Sequence, residues 1–445
     1  MSDFLRSNVA RWAVLPTARN GDGSRGWQDC PPRVSRPPLP WGAAWVGLAV
    51  LLLAAAARGD GSGWRGDGTG CFPQTTPPLQ WDIDEGKNIL WKADIGKGQS
   101  TPVVAGGRIF VTVEQDFLLA LDPKSGKILW KKDNSPATLP SGAKVPEKRP
   151  PTAPNCGYAT PTPVADGKFI WASYGTGIVV CYDLEGNRQW ARHLDLPQAS
   201  EFGRSASPVL AGGKLLVSIG GMEALDPKTG EVLWQTPDAR PTFGTPAVAK
   251  IGETDVAITP GGNCVRVSDG KILASKLGAM VYVSPIVHAG VVYYIDKAAA
   301  AWRLPAQAGD APRFEKVWEN EDLEGEFFAC PVWHDGLIYA ASNEGIFYVL
   351  DAATGKLVYK KELGIRSAGG KPGTEPANVY PSITLAGKHL LVGNDAGETL
   401  VLVPGREYKE AARNFLDKGC GASPAVDGGL LFLRGAKKLY CIGQK

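Results

Sequence analysis

The chain has 445 residues, and its 48 basic and 45 acidic side chains leave a formal net charge of +3. That near balance, with no basic stripe, excludes the electrostatic footprint of a nucleic-acid binder, and only 4 histidines speak against a His-rich metal centre. The length could hold two or three average domains, so the internal pattern has to decide the count.

The first 40 residues carry Arg6, Arg11, Arg19, Arg25, Arg33 and Arg36 against three Asp. Trp41 to Ala57 follows without a charge. It sits at the lower limit for a membrane-spanning helix, and its Ala54-Ala55-Ala56-Ala57 run also offers a signal-peptidase site. Residues 1–40 are therefore expected as a cytoplasmic arm, or as sequence upstream of a later start such as Val34. Residues 41–57 are expected as a signal peptide or transmembrane anchor, with everything beyond them exported to the periplasm or held outside the cytoplasm on the inner membrane. No Cys directly follows the apolar run, so a lipid anchor is not expected. Residues 58–88 read as linker and lead-in.

From residue 89 to 445 the chain repeats at roughly forty residues, the period of a repeat architecture whose units cannot bury their faces alone. The fullest copies are Ala120-Leu121-Asp122-Pro123-Lys124-Ser125-Gly126-Lys127-Ile128-Leu129-Trp130 and Ala224-Leu225-Asp226-Pro227-Lys228-Thr229-Gly230-Glu231-Val232-Leu233-Trp234. Around the first copy, Val103-Val104, Arg108 to Thr112, Phe117 to Leu121 and Ile128 to Trp130 read as four short strands separated by Gly-containing turns. Four antiparallel strands make one propeller blade. Asp122 and Asp226 can cap the turn before the outer strand, and Gly126 and Gly230 supply its positive φ. Trp91, Trp130, Trp190, Trp234 and Tyr359 are the residues expected to dock between neighbouring blades.

An opening anchor, a small residue followed by Pro and an aliphatic, counts the blades. It stands at Thr101, Thr162, Ser207, Thr245, Ser284, Cys330 and Ser423, with a degraded copy at Pro381-Ser382-Ile383. The fold is therefore predicted as an all-β, eight-bladed propeller of four-stranded antiparallel blades. The last repeat ends without a fourth strand, and the orphan Ile89-Leu90-Trp91 should supply it and close the ring. The fourth repeat lacks a docking Trp. The fifth has a longer Pro- and Ala-containing turn, and the seventh has Pro404-Gly405-Arg406.

These residues resemble the quinoprotein-type, pyrroloquinoline-quinone-like (PQQ-like) propeller repeat with its tryptophan-docking motif. Trp64 to Gly70 and Trp81 are similar to the lead-in of exported propellers of planctomycete-like bacteria. The resemblance covers about residues 64 to 443 and implies a fold more firmly than an activity, because the shared phrase describes how blades pack. It also implies a possible enzyme, a Ca2+- and PQQ-dependent alcohol or sugar dehydrogenase. Catalytic members of that family carry an adjacent Cys-Cys pair and Glu, Asn and Asp metal ligands; this chain has no Cys-Cys dipeptide and no Cys-x-x-Cys-His haem site.

If the ring closes, the loops from second to third strands and from outer strand to next blade share one face. Glu114, Asp116, Tyr174, Asn263, Asp296, Asn343, Glu344, Asn394 and Asp395 fall there and form the candidate cofactor face, where oxygen ligands could hold Ca2+. The alternative is that Asn and Asp simply stabilise turns. No metal site or catalytic residue is assigned. The first-strand positions are mostly Val, Pro and Ala, so no aromatic floor for a planar cofactor is expected in the channel. Trp171, Tyr174 and Trp333 are stacking candidates for a sugar, with blade-core packing as the alternative. A Pro-rich insertion from Asn134 to Tyr158 is a candidate lid or partner-binding arm, and Ser367 to Pro376 is a second Gly- and Pro-rich loop. Seven of the eight Cys lie beyond the apolar run; Cys181 and Cys441 align with the small Ala120 and Ala224.

The favoured function is a noncatalytic, exported, monomeric scaffold binding an envelope protein or glycan, similar in role to the propeller of the outer-membrane β-barrel assembly machinery. The alternative is the quinoprotein dehydrogenase.

Overall fold

Runs of β-branched and aromatic residues broken every few positions by Gly or Asp turns give strands of two to six residues and almost nothing else. The structure, a computed structural model, describes residues 62–153, 156–194, 203–239, 243–365 and 377–445. The expected arm (1–40), the apolar run (41–57) and the Ser367 to Pro376 loop lie outside the described residues. Among those described, no helix is long and apolar enough to cross a membrane.

The strands form eight sheets, each built around four consecutive antiparallel strands or their equivalent. Strand β1 is Cys71–Phe72 and β2 is Ile89–Asp94. Blade 1 comprises β3 (Val103–Ala105), β4 (Arg108–Val113), β5 (Phe117–Leu121) and β6 (Ile128–Asp133), paired in that order. Blades 2 to 7 repeat the plan over residues 164–193, 209–236, 247–274, 286–320, 332–362 and 384–415. Blade 8 has three strands of its own, 425–442, and takes β2 as its outer strand, with Trp91 opposite Cys441 and Asp94 opposite Lys438. The eight-bladed ring and its closure by the N-terminal strand are thus as the sequence predicts.

The docking residues sit where a bulge aims them. In every blade the register slips once between third and outer strand, at Ala120/Leu121 in blade 1 and at Ile89/Trp91 in blade 8. The fourth repeat, which lacks the Trp, slips too, at Cys264/Val265. The bulge therefore belongs to the blade, and its added twist turns the following side chain into the groove between blades. There the indole N–H of Trp91 donates to the Pro123 carbonyl at 2.9 Å, that of Trp130 to Leu184 at 3.0 Å, that of Trp190 to Pro227 at 3.0 Å and that of Trp234 to Val267 at 2.9 Å. Tyr359 packs beside Phe347 with ring centroids 6.3 Å apart. Gly126 has φ +70, and a Cβ there would lie 2.5 Å from the Trp91 ring. The turn glycine is needed both for its backbone and for the ring lying on it.

The anchors have a second role around the channel. The backbone N–H of each anchor donates to the hydroxyl of the next: Thr101 to Thr162, Thr162 to Ser207, Ser207 to Thr245, and Thr245 to Ser284, at 2.8 to 3.0 Å. Ser284 donates to the Cys330 Sγ at 3.2 Å, Cys330 to Ser382, Ser382 to Ser423, and Ser423 back to Thr101, at 3.1 to 3.2 Å. The circle is complete and buried. A small side chain with an acceptor atom, a hydroxyl in seven blades and the Cys330 thiol in one, stands at the anchor because it satisfies its neighbour's buried N–H. Thr162→Val, nearly the same shape, should lower stability by about 1–3 kcal/mol by orphaning the Thr101 N–H, whereas Cys330→Ser should be neutral or stabilising; urea unfolding of the two variants checks this.

The lead-in is built into the ring. Ser62 bridges to Ala165 of blade 2's inner strand, and β1 pairs in parallel with Thr384–Ala386, the inner strand of blade 7. Between them the buried Arg65 donates from Nη2 to the carbonyls of Pro331 at 2.7 Å and Ile383 at 3.0 Å. Further along, Leu79, Trp81 and Ile83 pack into the blade 7–blade 8 core.

Candidate functional site

At the end of the channel where the anchors begin, the connections between blades and the second-to-third-strand loops surround a cavity of about 1100 Å³. The anchor hydroxyls ring its throat and Trp64 of the lead-in lines its base, as it also lines a smaller cavity of about 80 Å³ beside the inner strands.

Two residues before each anchor the chain faces this cavity with a half-buried side chain. In blades 4 to 7 that position holds Phe243, Tyr282, Phe328 and Tyr380; in blades 8, 1, 2 and 3 it holds Gly421, Gln99, Thr160 and Ser205. The four rings form a continuous arc. Phe243 and Tyr282 stack with centroids 5.4 Å apart, Tyr282 meets Phe328 edge-on at 4.8 Å, and Phe328 stacks on Tyr380 at 4.8 Å. The expectation of no aromatic floor concerned the first strands lining the channel; the aromatic surface stands at its mouth. The rings come from the blade connections and the lead-in, not from the first strands on which that expectation rested. The opposite half is polar and knitted together, with the Gly421 N–H donating to Gln99 Oε1 at 2.6 Å and the Ser205 hydroxyl to the Phe243 carbonyl at 2.8 Å.

Of the nine candidate face residues, the structure brings Glu114 and Asp395 to the cavity wall. Glu114 accepts from the Ala159 N–H at 2.7 Å, and burial raises its pKa. Asp395 accepts from the Asn378 N–H at 2.9 Å. Asp116 is buried, ion-paired to Arg149 at 2.7 Å and hydrogen-bonded by Thr176; burial outweighs that pair and raises its pKa. Tyr174 is in the blade core, where its hydroxyl accepts from Asn134 at 3.1 Å and burial drives its pKa far up. Asn263 ties its turn to Thr259 and Ser275, and Asp296 accepts from the Lys297 N–H, its pKa raised by burial. Asn343 bridges Glu326 and Val379 through its backbone, Glu344 is exposed, and buried Asn394 caps the Ala396 and Glu398 N–H groups. Trp171 is likewise buried, and Trp333 stacks on His288.

The insertion from Asn134 to Tyr158 is held to the rim. Arg149 pairs with Asp116, its guanidinium lies 5.1 Å from the Tyr158 ring centroid, and the Tyr158 hydroxyl donates to Pro150 at 2.8 Å. Its stretch 141–144 is exposed.

Residues 79–312, more than half of the chain, match the family of PQQ-like propeller repeats described as outer membrane protein assembly factor BamB. The chain belongs to this family. Among individual proteins, it is 21% identical over 323 residues to the outer membrane protein assembly factor BamB of Shewanella oneidensis, covering 61% of this chain and 80% of that one. It is 24% identical over 354 residues to the quinohemoprotein alcohol dehydrogenase ADH-IIG of Pseudomonas putida, covering 69% of this chain but only 46% of the enzyme. The crystal structure of BamB from Moraxella catarrhalis superposes with a TM-score of 0.55 at 14% identity, over 80% of this chain and 97% of that one, which speaks for the fold.

The dehydrogenase relatives raise the question of PQQ and Ca2+. The residues present do not fit them. Among the described residues no group of three or more His, Cys, Asp or Glu could hold a metal ion. The Asn and Asp candidates are spread over separate turns, and among the described cavity residues no arginine stands ready for the carboxylates of PQQ.

Proposed function

We propose that this PQQ-like propeller is a noncatalytic, exported scaffold that holds a protein partner in the cell envelope, in a role like that indicated by the BamB relatives' names. The observation that carries this reading is the rim insertion. A long Pro-rich arm with an exposed tip is fixed to a rigid ring by the ion pair of its Arg149 with the buried Asp116, so its recognition surface is ordered before a partner arrives and little conformational entropy opposes binding. The carboxylates of the same face serve their own loops and do not converge on a reacting centre.

The test is affinity purification of the full-length tagged protein from envelope extracts of its own host, beside a variant in which residues 141–147 are replaced by a Gly-Ser linker. Recovery of an outer-membrane assembly component, reduced at least about tenfold in the variant at unchanged melting temperature, is the expected result; tenfold corresponds to roughly 1.4 kcal/mol of interface. Dye-coupled oxidation of an alcohol or sugar after addition of PQQ and Ca2+ would overturn the reading.

A further inference from the structure

The aromatic arc is not a requirement of the repeat. Blades 8, 1, 2 and 3 close with Gly, Gln, Thr and Ser at the same position, and the anchor hydrogen bonds run unbroken through both halves. Four adjacent rings left half-exposed in one cavity are a contiguous apolar surface of the kind that marks a binding site.

The composition of the wall narrows the ligand. Among the described residues that line it there is no Leu, Ile, Val or Met; apart from one alanine, three cysteines and scattered glycines, the apolar surface is aromatic. A pocket for hydrophobic peptide side chains would be built with aliphatic groups as well. Charge is nearly even, with five carboxylates, such as Glu114, Glu326 and Asp395, against four lysines. That balance gives an anion no advantage. The volume of about 1100 Å³ is also at the upper end for a single small molecule, so the site suits a short chain.

A pyranose matches all of these features. Its C–H face carries partial positive charge and stacks on the negative face of an aromatic ring, while its hydroxyl edge both donates and accepts. We infer that the mouth cavity binds a neutral oligosaccharide, stacked along Phe243, Tyr282, Phe328 and Tyr380 and hydrogen-bonded by the polar half opposite. Cys156 and Gly157 at the root of the rim arm line this cavity but residues 141–147 do not, so the arm variant should retain sugar binding and its outcome does not bear on the sugar.

Calorimetric titration of the full-length protein with maltohexaose, cellohexaose and N-acetylchitohexaose tests it. At least one should bind saturably with a Kd below about 1 mM. Phe243→Ala with Phe328→Ala should weaken that binding about ten- to a hundredfold. Phe328→Leu keeps apolar bulk but removes the π face. It should lose binding several-fold while the melting temperature stays unchanged, which a purely structural ring would not do. Absence of saturable binding by all three sugars, wild-type affinity in the Leu variant, or occupation of the arc by a proline-rich peptide in place of sugar would each overturn the inference.

Discussion

Deleting Ile89–Asp94 will leave a protein without a cooperative unfolding transition, while Trp234→Ala, at an internal blade junction, will keep one transition at a lower midpoint. Strand β2 does two things at once. It pairs along the last strand of blade 8, from Ile89 opposite Ile442 to Asp94 opposite Lys438, and it carries Trp91 onto Gly126 and Pro123 of blade 1. Without it the edge of Lys438–Ile442 is bare, and Leu439, Cys441 and Ile442, all fully buried, together with Phe432, lose their cover. The junction between blades 8 and 1 then rests on the inner contacts, among them the Ser423-to-Thr101 bond at 3.2 Å. Loss of a fully buried tryptophan costs about 3–5 kcal/mol, and the half-buried Trp91 and Trp234 fall toward the lower end. Loss of the strand adds its ladder bonds and the burial of its neighbours, which reaches the whole ~5–15 kcal/mol stability of an ordinary domain. At the Trp234 junction chain continuity still holds the blades together, so only the packing loss is felt. Chemical denaturation followed by tryptophan fluorescence and far-ultraviolet dichroism checks both variants. A deleted protein that unfolds in one transition with the parent's slope would show that β2 is an ornament.

The ring was legible because its rules act locally and repeat. An anchor hydroxyl must satisfy a neighbour's N–H, a turn glycine must sit at positive φ under an indole, and each rule stamps its residue once per blade. Counting Thr101 to Ser423 therefore counts blades, and the missing fourth strand of the last repeat calls for Ile89-Leu90-Trp91. Cys181 and Cys441 are buried beside the docking rings, as their alignment with Ala120 and Ala224 suggests. The site was less legible. Asp116 and Tyr174 look like cavity groups in sequence, but their partners Arg149 and Asn134 come from the insertion and could only be seen once it folded back. Trp318 was hidden by the irregular turn before it, yet it docks like the others, its indole donating to Ala352 at 2.9 Å. The aromatic arc did leave a signal. Aligning the anchors sets Phe243, Tyr282, Phe328 and Tyr380 in one column, but that column lies in connections outside any strand, where periodicity draws no attention.

Arg434→Met will lower stability by about 2–4 kcal/mol, with Arg434→Lys falling between it and the parent. Arg434 ends the second strand of blade 8 and is 3% exposed. Its guanidinium reaches across the closing junction, donating from Nη1 to the Ser100 carbonyl at 3.1 Å, the Ser100 hydroxyl at 2.8 Å and the Thr112 carbonyl at 3.0 Å, and from Nη2 to the Gly96 carbonyl at 3.4 Å. Desolvation brings its pKa down to about 10, so it is still a cation at neutral pH. Two effects oppose each other on substitution. Methionine removes the cost of burying a charge, which alone would stabilise. It also leaves the buried Ser100 carbonyl short of a donor and takes one donor each from the half-buried Gly96 carbonyl and from the Thr112 carbonyl, which keeps the Ser100 hydroxyl; each bond to a charged donor contributes roughly 1.5–3 kcal/mol. Several such bonds lost against one desolvation relieved leave the variant less stable. Lysine keeps the charge but is a single point that cannot span acceptors arranged for a planar fork, hence its intermediate value. Urea unfolding at neutral pH measures all three proteins. A methionine variant as stable as the parent would mean that the blade 8–blade 1 junction is held by β2 and the anchor circle alone.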